Sequence, residues 1–67
     1  MRFIVLEKLA EICNCVVEKN RRGEYEWWRN GNPNLIGVCN TIQECYNEIY
    51  TEIYVPLIKN NYWKAKP

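Results

Sequence analysis

Four cysteines are the residues of this chain best suited to chemistry, because a thiolate can attack a substrate or bind a metal ion. They are Cys13, Cys15, Cys39 and Cys45, and the chain has no histidine. Structural zinc sites usually use paired Cys-x-x-Cys knuckles, which are missing from this sequence. On a helix Cys13 and Cys15 would point in nearly opposite directions, whereas on a strand they would share a face. We therefore predict free thiols with no bound metal or cofactor, and we expect Cys13, Cys39 and Cys45 to act as small buried apolar residues.

The usual groups for catalysis are also missing from the sequence. Without His or Ser, the chain has no Cys–His or Ser–His pair. The three glycines are isolated at Gly23, Gly31 and Gly37, so no Gly-rich loop can hold a phosphate. Glu24 and Glu26 are neighbouring carboxylates, but this spacing on a strand is typical of a solvated face. We predict that the protein is not an enzyme.

Basic and aromatic side chains are mixed in two segments, 21–29 and 59–66. Such mixtures hold single-stranded nucleic acids by stacking and by charge. Nine basic against eight acidic residues give a net charge of +1, which provides little attraction to nucleic acid or to an anionic membrane. Nucleic-acid binding is therefore the alternative prediction, and its residues are Arg21, Arg22, Trp28 and Lys64.

The clearest predicted element is a helix at about 42–54. Thr41-Ile42-Gln43-Glu44 fits a capping box, and apolar residues recur behind it at helical spacing. Pro56 lacks a backbone donor and disfavours helical geometry in the residue before it. We expect the helix to end or kink there, which leaves 57–67 as a flexible tail.

A β-hairpin is predicted upstream, with strands at about 24–29 and 35–39 that are rich in aromatic and β-branched residues. Residues 30–34 between them are almost all turn formers. If Arg29 lies opposite Leu35, then Trp27 lies opposite Gly37, and its ring can cover the bare backbone of the glycine. This register places Trp27 on the core face, and it places Trp28, Ile36 and Val38 on the other face.

Residues 3–19 fit two predictions. As a helix they carry a broad apolar face that includes Leu6, Leu9 and Ala10. However, residues 12–17 are poor helix formers, and 20–23 suit a hairpin turn. The helix is the favoured interpretation, and the alternative is a three-stranded meander with an edge strand near 12–18. Either way, the fold is one small α+β domain over residues 1–67.

The short apolar run at the start of the chain stops at Glu7, so it does not resemble a signal peptide. No segment approaches the ~20 apolar residues of a membrane span. Without export, the thiols would stay reduced. The sequence therefore predicts a cytoplasmic protein with no membrane partner.

Protein binding is the function that the sequence favours. Aromatic residues make up 13% of the chain, more than so small a core readily encloses, and Tyr, Trp and Arg are enriched at binding hot spots. Both faces of the hairpin carry apolar groups, and one helix covers only one of them. We predict a small regulator or inhibitor that occupies the surface of a partner protein, in the style of a phage or mobile-element product. A homodimer or a subunit for oligomeric assembly is a further alternative. The predicted partner-binding residues are Trp28, Arg29, Ile36, Val38, Tyr46, Tyr50, Tyr54 and Trp63.

Overall fold

Two helical segments lie on one face of a small antiparallel sheet. The computed structural model describes residues 1–32, 34 and 36–65, with 61–65 described by their backbone alone. The strands follow the order β1-β2-β3, and α1 and α2 pack on the same side of them. This arrangement confirms the predicted α+β class. The elements are α1 (Phe3–Ile12), β1 (Cys15–Lys19), β2 (Tyr25–Arg29), β3 (Gly37–Cys39), α2 (Ile42–Ile49), a π-helical turn (Tyr50–Tyr54) and α3 (Val55–Ala65).

Helix α1 ends much earlier than the favoured prediction of a helix over 3–19. Asn14 adopts a left-handed conformation with φ of 55°, which asparagine tolerates better than most residues. Its backbone N–H donates to the carbonyl oxygen of Glu11 at 3.1 Å, as in a common helix C-terminal motif. The chain then extends as β1 from Cys15. The helix prediction is thus correct as far as Ile12, and the alternative edge strand near 12–18 accounts for the rest.

The turn between β1 and β2 is closed by the side chain of Asn20. Its Oδ1 accepts hydrogen bonds from the backbone N–H groups of Arg22 and Glu24, each at 2.9 Å. Gly23 supplies the positive φ of 84° that the turn requires. The turn chemistry recognised in residues 20–23 therefore forms the hairpin that aligns β1 with β2.

Strands β2 and β3 pair in the predicted register. Tyr25 lies opposite Cys39, and Trp27 lies opposite Gly37. Strand β3 begins at Gly37, so it is shorter than the predicted 35–39, and Leu35 lies outside the described residues. The confirmed register directs Trp27 toward the helices, where it is fully buried.

Helix α2 begins at Ile42, as the capping box predicts. The Oγ1 of Thr41 accepts from the backbone N–H of Glu44 at 3.1 Å. The Glu44 carboxylate reaches back to the N–H of Asn40 at 3.1 Å, one residue earlier than in the usual box. The Thr41 end of the motif satisfies a backbone donor that the helix leaves free, and the Glu44 end fixes the residue before the cap.

Pro56 was predicted to end or kink the helix, and it does not end it, because the backbone stays helical to Ala65. A π-helical turn precedes the proline, and in it the N–H of Val55 donates to the carbonyl oxygen of Tyr50, five residues earlier. This wider turn accommodates the irregularity that a proline ring imposes on a helix. Residues 57–65 of the predicted tail therefore continue the helix, and 66–67 lie outside the described residues.

The core lies between the sheet and the two helices. Trp27 is its largest fully buried side chain, and Leu6, Cys45 and Ile49 are also fully buried. The remaining buried core residues are Leu9, Ala10, Cys13, Cys39 and Ile53.

Within the described part of the chain, no helix is both long and apolar enough to cross a membrane.

Candidate protein-interaction surfaces

The sheet face that points away from the helices carries an apolar group with little cover, and we call it the outer face. Val16 pairs with Trp28 across β1 and β2, and both are half-buried. Val38 in β3 is 45% exposed, and Ile36 just before β3 is 42% exposed. Because successive side chains of a strand alternate between faces, Trp28, Val38 and Val16 share this side. The outer face therefore brings Trp28 and Val38 together, as the predicted register requires, and it adds Val16. The exposed Ile36 lies next to it, just before β3.

Trp27 lies on the opposite side of the sheet and anchors α2 to it. Its indole Nε1 donates to Oε1 of Glu48 at 2.8 Å. Gly37 lies directly beneath this contact, and a Cβ there would overlap Trp27 Nε1 and Glu48 Oε1. The same carboxylate accepts from the Cys39 thiol at 3.2 Å. Sequence reasoning missed this role, since Glu48 follows Glu44 at a spacing typical of a solvated helix margin.

Arg29 does not belong to the outer face. It alternates with Trp28 along β2, lies opposite Cys15, and is exposed. It lines a shallow hollow between the sheet and the helical segment, together with Asn30, Glu52 and Leu57. The structure thus places Arg29 apart from the three apolar residues with which the sequence grouped it.

A ladder of three tyrosines forms a second candidate surface on the helical side. The rings of Tyr46 and Tyr50 stack with centroids 6.1 Å apart, and those of Tyr50 and Tyr54 lie 5.1 Å apart. The three tyrosines line a hollow together with Val5 and Ile12 of α1. Ile12 is 67% exposed. Three of the predicted partner-binding residues, Tyr46, Tyr50 and Tyr54, therefore form a continuous aromatic strip. The participation of α1 was missed because it depends on how the two helices pack.

The basic residues predicted for nucleic-acid binding lie among carboxylates. Arg21 and Arg22 line a hollow together with Glu24 and Glu26. The side chain of Asn20 donates to both carboxylates, at 3.0 Å to Glu24 and 3.4 Å to Glu26. Glu26 also lies directly opposite Glu18 on β1. Acidic side chains therefore separate Trp28 from the turn that carries Arg21 and Arg22.

The last two predicted site residues are only partly described. The backbone at Trp63 and Lys64 belongs to α3, but their side chains lie outside the described residues. The surfaces defined above consist of residues 5–54 only.

The thiols are free and mostly buried. Burial raises the pKa of the Cys39 thiol to about 12, and its hydrogen bond to Glu48 acts in the same direction. Burial likewise raises the pKa of Cys45 to about 11. Among the described residues, no group of three or more His, Cys, Asp or Glu side chains is arranged to hold a metal ion. A raised pKa keeps a thiol protonated, and the protonated form is a poor nucleophile and a poor metal ligand.

Comparison with known proteins identifies no relative for this chain. No protein-family model matches it, and no curated protein or solved structure matches it. The geometry of the two surfaces is therefore the basis for a functional proposal.

Proposed function

We propose that this protein is a small protein-binding module that uses the outer face of its sheet to occupy the surface of a partner, as a regulator or an inhibitor does. One observation carries the proposal. Both helices pack on the same side of the sheet, which leaves Val38 and Ile36 exposed beside Trp28 on the other side. An exposed apolar group on a sheet is typical of an interaction site.

The arrangement of side chains on the outer face supports a binding hot spot. Trp28 lies opposite Val16 on the central strand of the sheet, so its backbone is ordered before a partner arrives. Glu18 and Glu26 lie on the same face beside this apolar group. An apolar centre with a polar rim is the usual anatomy of a protein interface, and tryptophan is among the residues that contribute most to binding energy.

The proposal includes no catalytic step, because the sequence supplies neither His nor Ser to activate a nucleophile. It assigns the protein to a reducing compartment such as the cytoplasm, where free thiols persist. Single-stranded nucleic acid remains the alternative ligand. Glu24 and Glu26 beside the two arginines disfavour it, because carboxylates repel phosphates.

Affinity capture with paired variants tests the proposal. Wild-type protein, Trp28→Ala, Val38→Glu and Tyr50→Ala are immobilised and exposed to an extract of the source cell, with and without nuclease. We expect Trp28→Ala and Val38→Glu to lose a nuclease-resistant protein partner that Tyr50→Ala retains. Sedimentation of each variant alone reports whether that partner is a second copy of this chain.

Two outcomes would contradict the assignment. Loss of the partner in Tyr50→Ala alone moves the site to the tyrosine ladder. Loss of the captured protein after nuclease treatment favours the nucleic-acid alternative. Circular dichroism separates binding effects from unfolding. Trp27→Ala is the unfolding control, because replacing a buried Trp typically costs ~3–5 kcal/mol, close to the ~3–5 kcal/mol that a core of this size supplies.

A further inference from the structure

Strand β1 has one free edge. It is the first strand in the order β1-β2-β3, and β2 is its only neighbour in the described sheet. Asn20 donates to the carbonyl oxygen of Glu24 at 2.8 Å, and Asn30 donates to that of Asn14 at 3.0 Å. Both bonds join directly opposed residues of the hairpin. In an antiparallel ladder such hydrogen-bonded pairs alternate with pairs that are not hydrogen-bonded.

This alternation identifies the backbone groups at the open edge. If residues 14 and 20 bond across to β2, then 16 and 18 do so too, and the intervening residues direct their N–H and C=O groups away from β2. Cys15, Val17 and Lys19 therefore present a row of backbone donors and acceptors at the edge. Such a row can pair with an extended segment of another chain.

Helix α1 lies over β1 and gives this edge an acidic side. A hollow along the edge is lined by Glu7 and Glu11 of α1 and by Cys15, Val16 and Val17 of β1. Both glutamates are exposed. Lys19 lies at the far end of β1, with its Nζ 5.8 Å from the centre of the Tyr25 ring. Side chains of an added strand that point to the helix side of the sheet would therefore face two carboxylates.

A second copy of this chain is a poor occupant of the edge. Two β1 strands that pair antiparallel about a two-fold axis bring both α1 helices to the same side of the joined sheet. Glu7 and Glu11 of each copy would then approach those of the other copy across the new strand pair. Like charges that face each other across a strand pair destabilise the pairing. The acidic side favours a foreign segment of opposite charge.

We propose that the β1 edge binds an extended, basic segment of a partner protein as a fourth strand. Lys or Arg side chains at alternate positions of that segment face Glu7 and Glu11, and the apolar side chains between them continue the outer face beside Val16. The added backbone pairs with Cys15, Val17 and Lys19. This site adjoins the outer face at Val16 but does not require Trp28 for binding.

A synthetic peptide of alternating Val and Lys, blocked at both ends and labelled with a fluorophore, is the probe. Its affinity for the full chain is measured by fluorescence anisotropy at low and at high salt. We expect binding that weakens with salt and that falls about five- to tenfold in the double variant Glu7→Gln/Glu11→Gln, the effect of losing two exposed charge pairs. Glu52→Gln is the matched control and leaves the affinity unchanged. A peptide of alternating Val and Glu does not bind.

Hydrogen exchange of individual amides tests the backbone pairing. The amides of Cys15, Val17 and Lys19 exchange quickly in the free protein and become protected when the Val–Lys peptide binds, whereas those of Val16 and Glu18 are protected throughout. Lys19→Pro removes one edge donor without touching the ladder to β2 and weakens binding. Val17→Pro does the same at the centre of the edge, and circular dichroism reports whether that half-buried position still permits folding.

Several results would overturn the proposal. These are failure of the peptide to bind, equal binding of the Val–Glu peptide, or binding that leaves the three edge amides unprotected. Protection of the same amides at high protein concentration without peptide would assign the edge to a second copy. Trp28→Ala is expected to leave peptide binding unchanged, so that failure at this edge and failure at the outer face remain distinguishable.

Discussion

At the scale of single residues, Glu48 joins the sheet to α2. Its two carboxylate oxygens accept from the Trp27 indole and from the Cys39 thiol. Both donors belong to residues that are almost completely buried. A buried donor that loses its partner is costly, because water cannot replace the bond.

We therefore expect Glu48→Ala to lower the free energy of unfolding by about 1–3 kcal/mol. The matched control is Glu52→Ala, at an exposed position one turn further along, which should change stability by no more than about 0.5 kcal/mol. Urea denaturation followed by Trp fluorescence measures both. Equal effects of the two substitutions would show that the contact with Trp27 contributes nothing specific.

The raised thiol pKa values predict a loss of stability in alkali. The pKa of Cys39 moves from 9.0 to about 12 in the folded protein, and that of Cys45 moves from 9.0 to about 11. Above pH 9 the unfolded chain releases these protons while the folded chain retains them, so the contribution of both thiols to stability falls as the pH rises toward their folded pKa values.

The stability difference between the wild type and Cys39→Ala/Cys45→Ala isolates this effect. We expect the advantage of the wild type to shrink as the pH rises above 9, because all other titrating groups are common to both proteins. Denaturation midpoints at a series of pH values provide the measurement. A difference that is constant between neutral pH and strong alkali would contradict the burial of the two thiols.

At the scale of elements, Asn14 decides where helix becomes strand. Its φ of 55° falls in the left-handed region, which costs most residues about 1–2 kcal/mol. That one conformation ends α1 and reverses the chain so that β1 can run beneath it. The β-branched pair Val16 and Val17 then extends readily.

A pair of substitutions tests the role of Asn14. Asn14→Ala should destabilise the protein by about 1–2 kcal/mol relative to Asn14→Gly, because glycine adopts positive φ without a steric penalty. Both variants lose the side-chain hydrogen bond from Asn30, which is 3.3 Å long, so this loss cancels in the comparison. Thermal unfolding of the two proteins gives the difference. Equal stabilities would mean that the backbone at residue 14 relaxes out of the left-handed region.

At the scale of the whole molecule, the net charge and its distribution limit the kinds of partner that the protein can attract. The net charge is +1, and the basic turn at Arg21 and Arg22 shares its surface with Glu24 and Glu26. Strong attraction to a phosphate backbone requires several cations that converge without intervening acids. The described surface has no such convergence at the turn.

We therefore expect binding to single-stranded DNA or RNA to be weak at low salt and weaker still as salt rises, with a small slope because few counterions are released. Fluorescence anisotropy with labelled oligonucleotides of mixed sequence measures this. The charge-reversal variant Glu24→Lys/Glu26→Lys is the positive control and should bind more tightly. Tight, salt-resistant binding with a sequence preference would displace the protein-partner proposal.

Local chemistry explains how much of this protein the sequence alone determined. Three predicted features are found in the structure: the capping box at Thr41, the turn at 20–23 and the opposition of Trp27 to Gly37. Each depends on residues close in sequence or on strand alternation. The distinction between Trp27 and Trp28 follows from the same alternation. These features were predictable because each local sequence pattern is compatible with few backbone conformations.

Only the tertiary structure decided the rest. Residues 15–19 extend as β1 because they pair with β2, although the same residues also fit the apolar face of a helix. The π-helical turn lets the helix pass Pro56, and the contact of Glu48 with Trp27 exists only because α2 crosses β2 and β3. The location of both helices on one side of the sheet left the outer face and the β1 edge open. Such choices depend on packing between segments far apart in the chain, which local sequence patterns do not specify.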